Sequence, residues 1–183
     1  MTLVHLGRII TSTLAENSLR TALRYKEEGQ WVSLTYKELE NKIFTLATAL
    51  IRAGLTPGDR VGIYSANRYE WAVTDFACIL AGLVSVPIYS TNTGEQAGYI
   101  IEDAGISMVF VGNDTQYQNI AGVRTSNTRI ISYDPDLKID KKFTTYFEPF
   151  LSTGQDLGLM DEIHTRQEKI TRKKSPGTIP SPL

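Results

Sequence analysis

The chain has 183 residues, 42% of them hydrophobic and 21% charged, with a formal net charge of −1. That length fits one ordinary domain, and that composition excludes a disordered class. The near-zero charge excludes the basic footprint of a nucleic-acid binder, and no aromatic–basic alternation offers stacking for single strands.

Thr2 to Asn17 reads as a short amphipathic helix, with Leu3, Leu6, Ile10 and Leu14 at spacings near 3.6. Its polar face carries His5, Arg8, Thr11 and Ser12, too weakly basic for a membrane anchor, so packing on the domain is expected. Thr21–Tyr25 and Trp31–Thr35 read as two strands of a hairpin, with Gly29 in the turn. Thr35 to Gly54 is the clearest helix. Thr35 and Glu38 have capping-box spacing, and Leu39, Ile43, Leu46 and Leu50 form one apolar stripe.

Asp59 to Gly112 then alternates strand and helix. Arg60–Ala66 is an apolar strand, and Asn67–Leu83 a helix apolar on most sides, with Asn67 as expected N-cap and Glu70 at the positive end of its dipole. Val84–Ser90 is a strand in which Pro87 marks a bend or a missing ladder bond. Thr93–Asp103 is a helix with Thr93 and Gln96 at capping-box spacing, and Ser107–Gly112 a third strand. Apolar strands separated by single helices pair in parallel, with the helices covering the sheet. The expected fold is therefore α/β: a parallel sheet with helices on both faces, preceded by a β-hairpin and a helix.

A further cycle follows, with a weaker helix at Asp114–Val123 and a strand at Arg129–Tyr133. Asp136–Gly158 reads as a connection with a short helical piece near Tyr146–Leu151. From Glu162 to Leu183 the chain is dense in charge and then rich in proline, with no face to bury, so it is expected to be flexible, with a helix through Asp161–Ile170, polar nearly all round, as the alternative. The domain boundary thus falls at residues 1–161, with 162–183 as a tail.

No residue pattern here announces catalysis. There is no G-x-G-x-x-G and no Gly-Lys pair of a Walker loop. The single cysteine, Cys78, lies on the apolar helix and reads as a buried inert thiol. With His5 and His164 it makes no zinc set. Ser65 and Ser90 end strands at the edge where open α/β sheets bind ligands, but lack a neighbouring base. Asp75 and Glu70 are spaced poorly for a shared face, and Glu102–Asp103 read as solvated helix-end acids. Asn67, Glu70 and Trp71 read as a helix cap with a packed aromatic in preference to substrate contacts, and Tyr89 and Tyr99 as packing residues. The basic cluster Lys169, Arg172, Lys173 and Lys174 reads as a solvated run. No apolar stretch is long enough to span a bilayer and no signal-peptide core is present, so a cytoplasmic setting, with peripheral membrane contact open, is the expectation.

Gly58-Asp59-Arg60-Val61, Asn67 with Glu70-Trp71, Gly82 with Val86-Pro87-Ile88-Tyr89, and Tyr99-Ile100-Ile101, in that order, resemble the N-terminal part of AMP-forming acyl-activating enzymes. The similarity is greatest to bacterial long-chain fatty-acid–CoA ligases and runs from Thr35 to about Asp161. The resemblance implies fatty acid and CoA as substrates of the intact enzyme, with ATP and Mg²⁺ as cofactors. It also implies that the Ser/Thr/Gly-rich loop ending in Pro-Lys-Gly, the adenine- and ribose-binding residues, the metal-binding Glu and the catalytic Lys follow the matched region. After Ile170-Thr171 this chain instead reads Arg172-Lys173-Lys174-Ser175-Pro176, so a truncated or frame-shifted coding sequence is expected. No catalytic, cofactor-binding or metal-binding residue is carried over, and inactivity of the chain alone is expected. The rival expectation is a non-catalytic module that self-associates through an unfinished sheet.

Overall fold

The computed structural model describes residues 6–122, 128–156 and 158–173. Helix α1 (Leu6–Glu16) buries Gly7, Ile10 and Leu14, while Leu6 stays exposed. Leu3 and His5 lie outside the described residues. Strands β1 (Thr21–Glu27) and β2 (Gln30–Thr35) form an antiparallel hairpin. Its turn is tighter than expected, because Glu28 and Gly29 both take positive φ (48° and 80°), which matches the twist of the strands they join.

Helix α2 (Tyr36–Arg52) begins at a complete capping box: the Thr35 side chain accepts from the Glu38 amide, and the Glu38 carboxylate accepts from the Thr35 amide. Two orphan N–H groups are thereby satisfied. Leu39, Ile43, Leu46 and Leu50 are buried, each contributing about 1.5–3 kcal/mol before conformational entropy is counted.

A five-stranded parallel sheet follows, made of β3 (Arg60–Tyr64), β4 (Val84–Ile88), β5 (Ile106–Val111), β6 (Arg129–Ser132) and β7 (Thr144–Tyr146), in the order β4-β3-β5-β6-β7. Helix α3 (Tyr69–Ala81) joins β3 to β4, α4 (Gly94–Asp103) joins β4 to β5, and α5 (Asp114–Ala121) joins β5 to β6. All five strands are parallel, but the sense in which successive strands are added across the sheet reverses after β4, so α3 and α4 cover opposite faces. On one face α2, α3 and α6 (Phe147–Ser152) pack over Val61, Ile63, Met108, Phe110 and Ile131. On the other, Ala97, Ile101, Tyr117 and Ile120 from α4 and α5 cover Tyr64, Val109, Val111 and Ile130. Pro87 sits on the edge strand β4, where a missing donor is tolerated. The Thr93–Gln96 capping box of α4 is complete as well.

Three expectations are corrected. Asn67 is not the N-cap of α3; Arg68 holds that position in extended backbone (φ −154°, ψ 165°) and makes no side-chain cap. The side chain of Arg68 is committed to another partner, described below. The connection after β6 contains β7, three residues that are too few to show a period in sequence. From Glu162 the chain is helical through Lys173, in α7 (Met160–Lys173). Ile163, Arg166 and Gln167 are buried against the body of the domain. A polar helix packs there because Arg166 Nη1 donates to the carbonyls of Leu55 (3.0 Å) and Ala81 (3.2 Å), and its Nε donates to Glu162 (2.8 Å). Ala81 ends α3, where a cation meets the negative end of the helix dipole. Val123 and residues 174–183 lie outside the described residues.

Candidate functional site

In a doubly wound sheet the ligand crevice lies beyond the C-terminal ends of the strands, where strand order reverses. Here that point falls between β3 and β5, next to Ser65 and Gly112. It is filled by the protein itself. Arg68 reaches across from the start of α3, with Nε and Nη2 on the two Glu70 carboxylate oxygens at 2.8 and 2.7 Å. Its Nη1 donates to the Gly112 carbonyl at 3.3 Å, and its guanidinium lies 5.1 Å from the Tyr133 ring centroid. Burial disfavours the charge on Arg68, but the Glu70 hydrogen bonds and charge outweigh it and hold the pKa above its ordinary value.

Tyr133, at the end of β6, shares a hydrogen bond of 2.7 Å with Thr74, and burial pushes its phenol well up from the usual range. Its ring packs on Phe110 and Phe147. On the other side of Gly112, Gln116 accepts from the Gly112 amide at 3.0 Å and donates to the Ser90 carbonyl at 3.3 Å. A side chain at Gly112 would run into Ser65 Oγ and Gln116 Oε1. The crevice is thus a closed polar seam joining the ends of β3, β4, β5 and β6.

Beside this seam, Ser65, Asn67, Trp71, Pro87, Tyr89 and Ser90 line a cleft of about 290 Å³ between the ends of β3 and β4. Ser65, Asn67, Trp71, Tyr89 and Ser90, all singled out in sequence, are brought together here because neighbouring parallel strands deliver their C-terminal loops to one edge. Glu70 stands in the first turn of α3, as expected, and is buried there in the pair with Arg68. Asp75 accepts from Ser85, away from this edge, and Tyr99, Glu102 and Asp103 face solvent on α4. Cys78 is fully buried, and burial pushes its thiol upward. His164 is exposed on α7. Sequence reasoning missed Arg68, Thr74, Gln116 and Tyr133, each of which has a partner distant in sequence: Arg68 on Gly112, Thr74 on Tyr133 and Gln116 on Ser90.

The cleft offers hydroxyl, amide and aromatic groups but no general acid–base pair. Ser65 Oγ donates to the Ala66 carbonyl at 2.8 Å, so its proton is directed at backbone and not at a base. No group of three or more His, Cys, Asp or Glu among the described residues is arranged to hold a metal ion. No helix among the described residues is long and apolar enough to cross a membrane.

A flavodoxin-like parallel sheet, preceded by a hairpin and a capped helix, defines the class: a doubly wound α/β scaffold with its binding edge at the strand C-termini. The sequence profile of the AMP-binding enzyme family matches residues 11–175, and the chain belongs to that family. It is 40% identical over 94 residues to a long-chain-fatty-acid–CoA ligase, FadD15, of Mycobacterium bovis, which covers 51% of this chain and 16% of that protein. Similarity to the long-chain-fatty-acid–CoA ligase ACSBG2 of Xenopus laevis is 28% over 170 residues, covering 90% of this chain and 23% of the relative. The chain thus spans between about a sixth and a quarter of these relatives' length. The crystal structure of coronafacic acid ligase from Pectobacterium brasiliense superposes with a TM-score of 0.73 at 21% identity, over 84% of this chain and 30% of that one. A benzoate CoA ligase from Burkholderia xenovorans gives 0.69 at 20% identity, over 82% and 28%. These likenesses establish the fold.

Proposed function

We propose that this chain is the N-terminal scaffold of an ATP-dependent, AMP-forming long-chain fatty-acid–CoA ligase. The intact enzyme joins a fatty acid to ATP, releasing pyrophosphate, and passes the acyl group to CoA, releasing AMP. The observation that carries this reading is the family match over residues 11–175, together with similarity to long-chain ligases across the hairpin-to-sheet region. ATP, Mg²⁺ and CoA belong to the intact enzyme, and a cytoplasmic, membrane-peripheral setting goes with it.

The chain alone is inactive in this proposal. Stabilising acyl adenylation needs a held triphosphate, a metal and a cation on the developing negative charge. The seam at the switch point spends its one cation, Arg68, on Glu70. The test is acyl-CoA synthesis from palmitate, ATP, Mg²⁺ and CoA, by this chain and by a version extended through the downstream reading frame. Activity in the extended chain alone supports the proposal; turnover by the 183-residue chain refutes it.

A second reading, self-association of a non-catalytic module, is favoured by one observation. The edge strand β4 leaves Val84 48% exposed and is followed by Tyr89 at 82%. A concentration-dependent mass in light scattering supports it, and a monomer at all concentrations removes it.

A further inference from the structure

A second cleft lies away from the sheet edge. A cleft of about 670 Å³ runs between the hairpin and the start of α3, with Leu23–Glu27 on one wall and Asn67–Glu70 on the other. Side chains of a strand alternate between two faces, so five consecutive residues line one cleft when it runs along the strand's edge. Strand β1 pairs with β2 on one side, and among the described residues no strand pairs with its other side. The cleft therefore exposes a row of backbone donors and acceptors about 16 Å long, from five residues at about 3.3 Å each.

We propose that this cleft receives an extended strand, added to β1 and supplied by the part of the longer ligase polypeptide that this chain does not contain. The inference rests on the ligase reading above, in which the matched relatives are several times longer than this chain. Strand addition gives affinity through main-chain hydrogen bonds and selectivity through alternate side chains. Arg24 and Lys26 share one face of β1, are exposed, and have no ion-pair partner among the described residues, although Lys26 lies over the Trp31 ring. Tyr25, on the other face, leans on Tyr69 with ring centroids 4.4 Å apart. Across the cleft, the charge of Arg68 is already neutralised by Glu70. The added strand therefore carries acidic residues opposite Arg24 and Lys26 and an apolar residue opposite Tyr25.

Hydrogen–deuterium exchange of the amides from Leu23 to Glu27 tests this, in the chain alone and in the extended chain. Alternate amides on the open edge should exchange at least a hundredfold more slowly in the extended chain. If the extended chain makes acyl-CoA but those amides exchange as before, strand addition is wrong and the ligase reading stands. If it makes none but the amides are protected, strand addition stands and the ligase reading falls. A second measurement uses this chain with the acetylated, amidated peptide Ser-Val-Glu-Val-Glu-Val-Ser. Slowing at the same amides by this peptide, and less slowing by its lysine-for-glutamate counterpart, supports the proposal. The double variant Arg24→Glu, Lys26→Glu should reverse that preference. Equal slowing by both peptides, or slowing that grows with protein concentration and no peptide, overturns it.

Discussion

Arg68 and Glu70, two residues apart, meet through two parallel hydrogen bonds of 2.8 and 2.7 Å. Such spacing does not bring side chains together within a helix. It does so here because Arg68 is still extended while Glu70 is already helical. The pair anchors the first turn of α3 to the ends of β5 and β6 through Gly112 and Tyr133.

Removing one partner leaves the other stranded. The Glu70 side chain is 9% exposed and that of Arg68 31%, so the pair is only partly desolvated. Arg68→Leu should cost about 3 kcal/mol, the low end of the range for a broken buried pair. Glu70→Gln should cost about half of that, since Arg68 can turn toward water. Urea denaturation of the two variants and of the double mutant checks this, with a double-mutant cost below the sum of the singles.

Arg166 holds α7 in place through carbonyls of Leu55 and Ala81. Arg166→Met should remove about 2–3 kcal/mol, because two buried carbonyls lose a charged donor. The loss should be local. Limited proteolysis within 160–173 should accelerate while amide exchange in the hairpin stays unchanged.

Gly154 packs directly on the backbone of α2. A Cβ there would overlap the Thr45 carbonyl oxygen and approach the Ala49 amide nitrogen to 2.8 Å. Neither is a flexible side chain that can step aside. Gly154→Ala should therefore force α6 away from α2 and cost about 2–3 kcal/mol, the upper part of the overpacking range. A calorimetric Tm drop of several degrees checks it.

Alkali should destabilise the domain in a defined window. Cys78 and Tyr133 both have pKa values pushed up by burial from ordinary values of 9.0 and 10.0. A raised acid stays neutral in the fold and ionises first in the unfolded chain, so its contribution is intact below the ordinary value and lost as pH rises. Stability should fall from about pH 9 upward, by at most about 1.4 kcal/mol per pH unit for each group. Cys78→Ala should flatten the first part of that slope. Alkylation of Cys78 at pH 8 should proceed only as fast as the domain unfolds.

What could be read from the sequence is what is settled locally. The two capping boxes, Thr35 with Glu38 and Thr93 with Gln96, depend on residues three apart, and both formed as expected. The apolar strands and the parallel sheet followed from hydrophobic runs bounded by turns. Ser65, Asn67, Trp71, Tyr89 and Ser90 converge because parallel strands end on one edge. What could not be read depends on distant partners. Arg68 meets Gly112 from 44 residues away, and Arg166 meets Leu55 from 111. A helix as polar as α7 gives no local sign that its arginine will be buried on two carbonyls.

The most direct measurement is fatty-acid-dependent exchange of labelled pyrophosphate into ATP by the purified chain with palmitate and Mg²⁺, without CoA. If the chain is an inactive scaffold, as proposed, it should give no exchange above a protein-free blank. Exchange that depends on palmitate and rises with the amount of this chain would contradict the account.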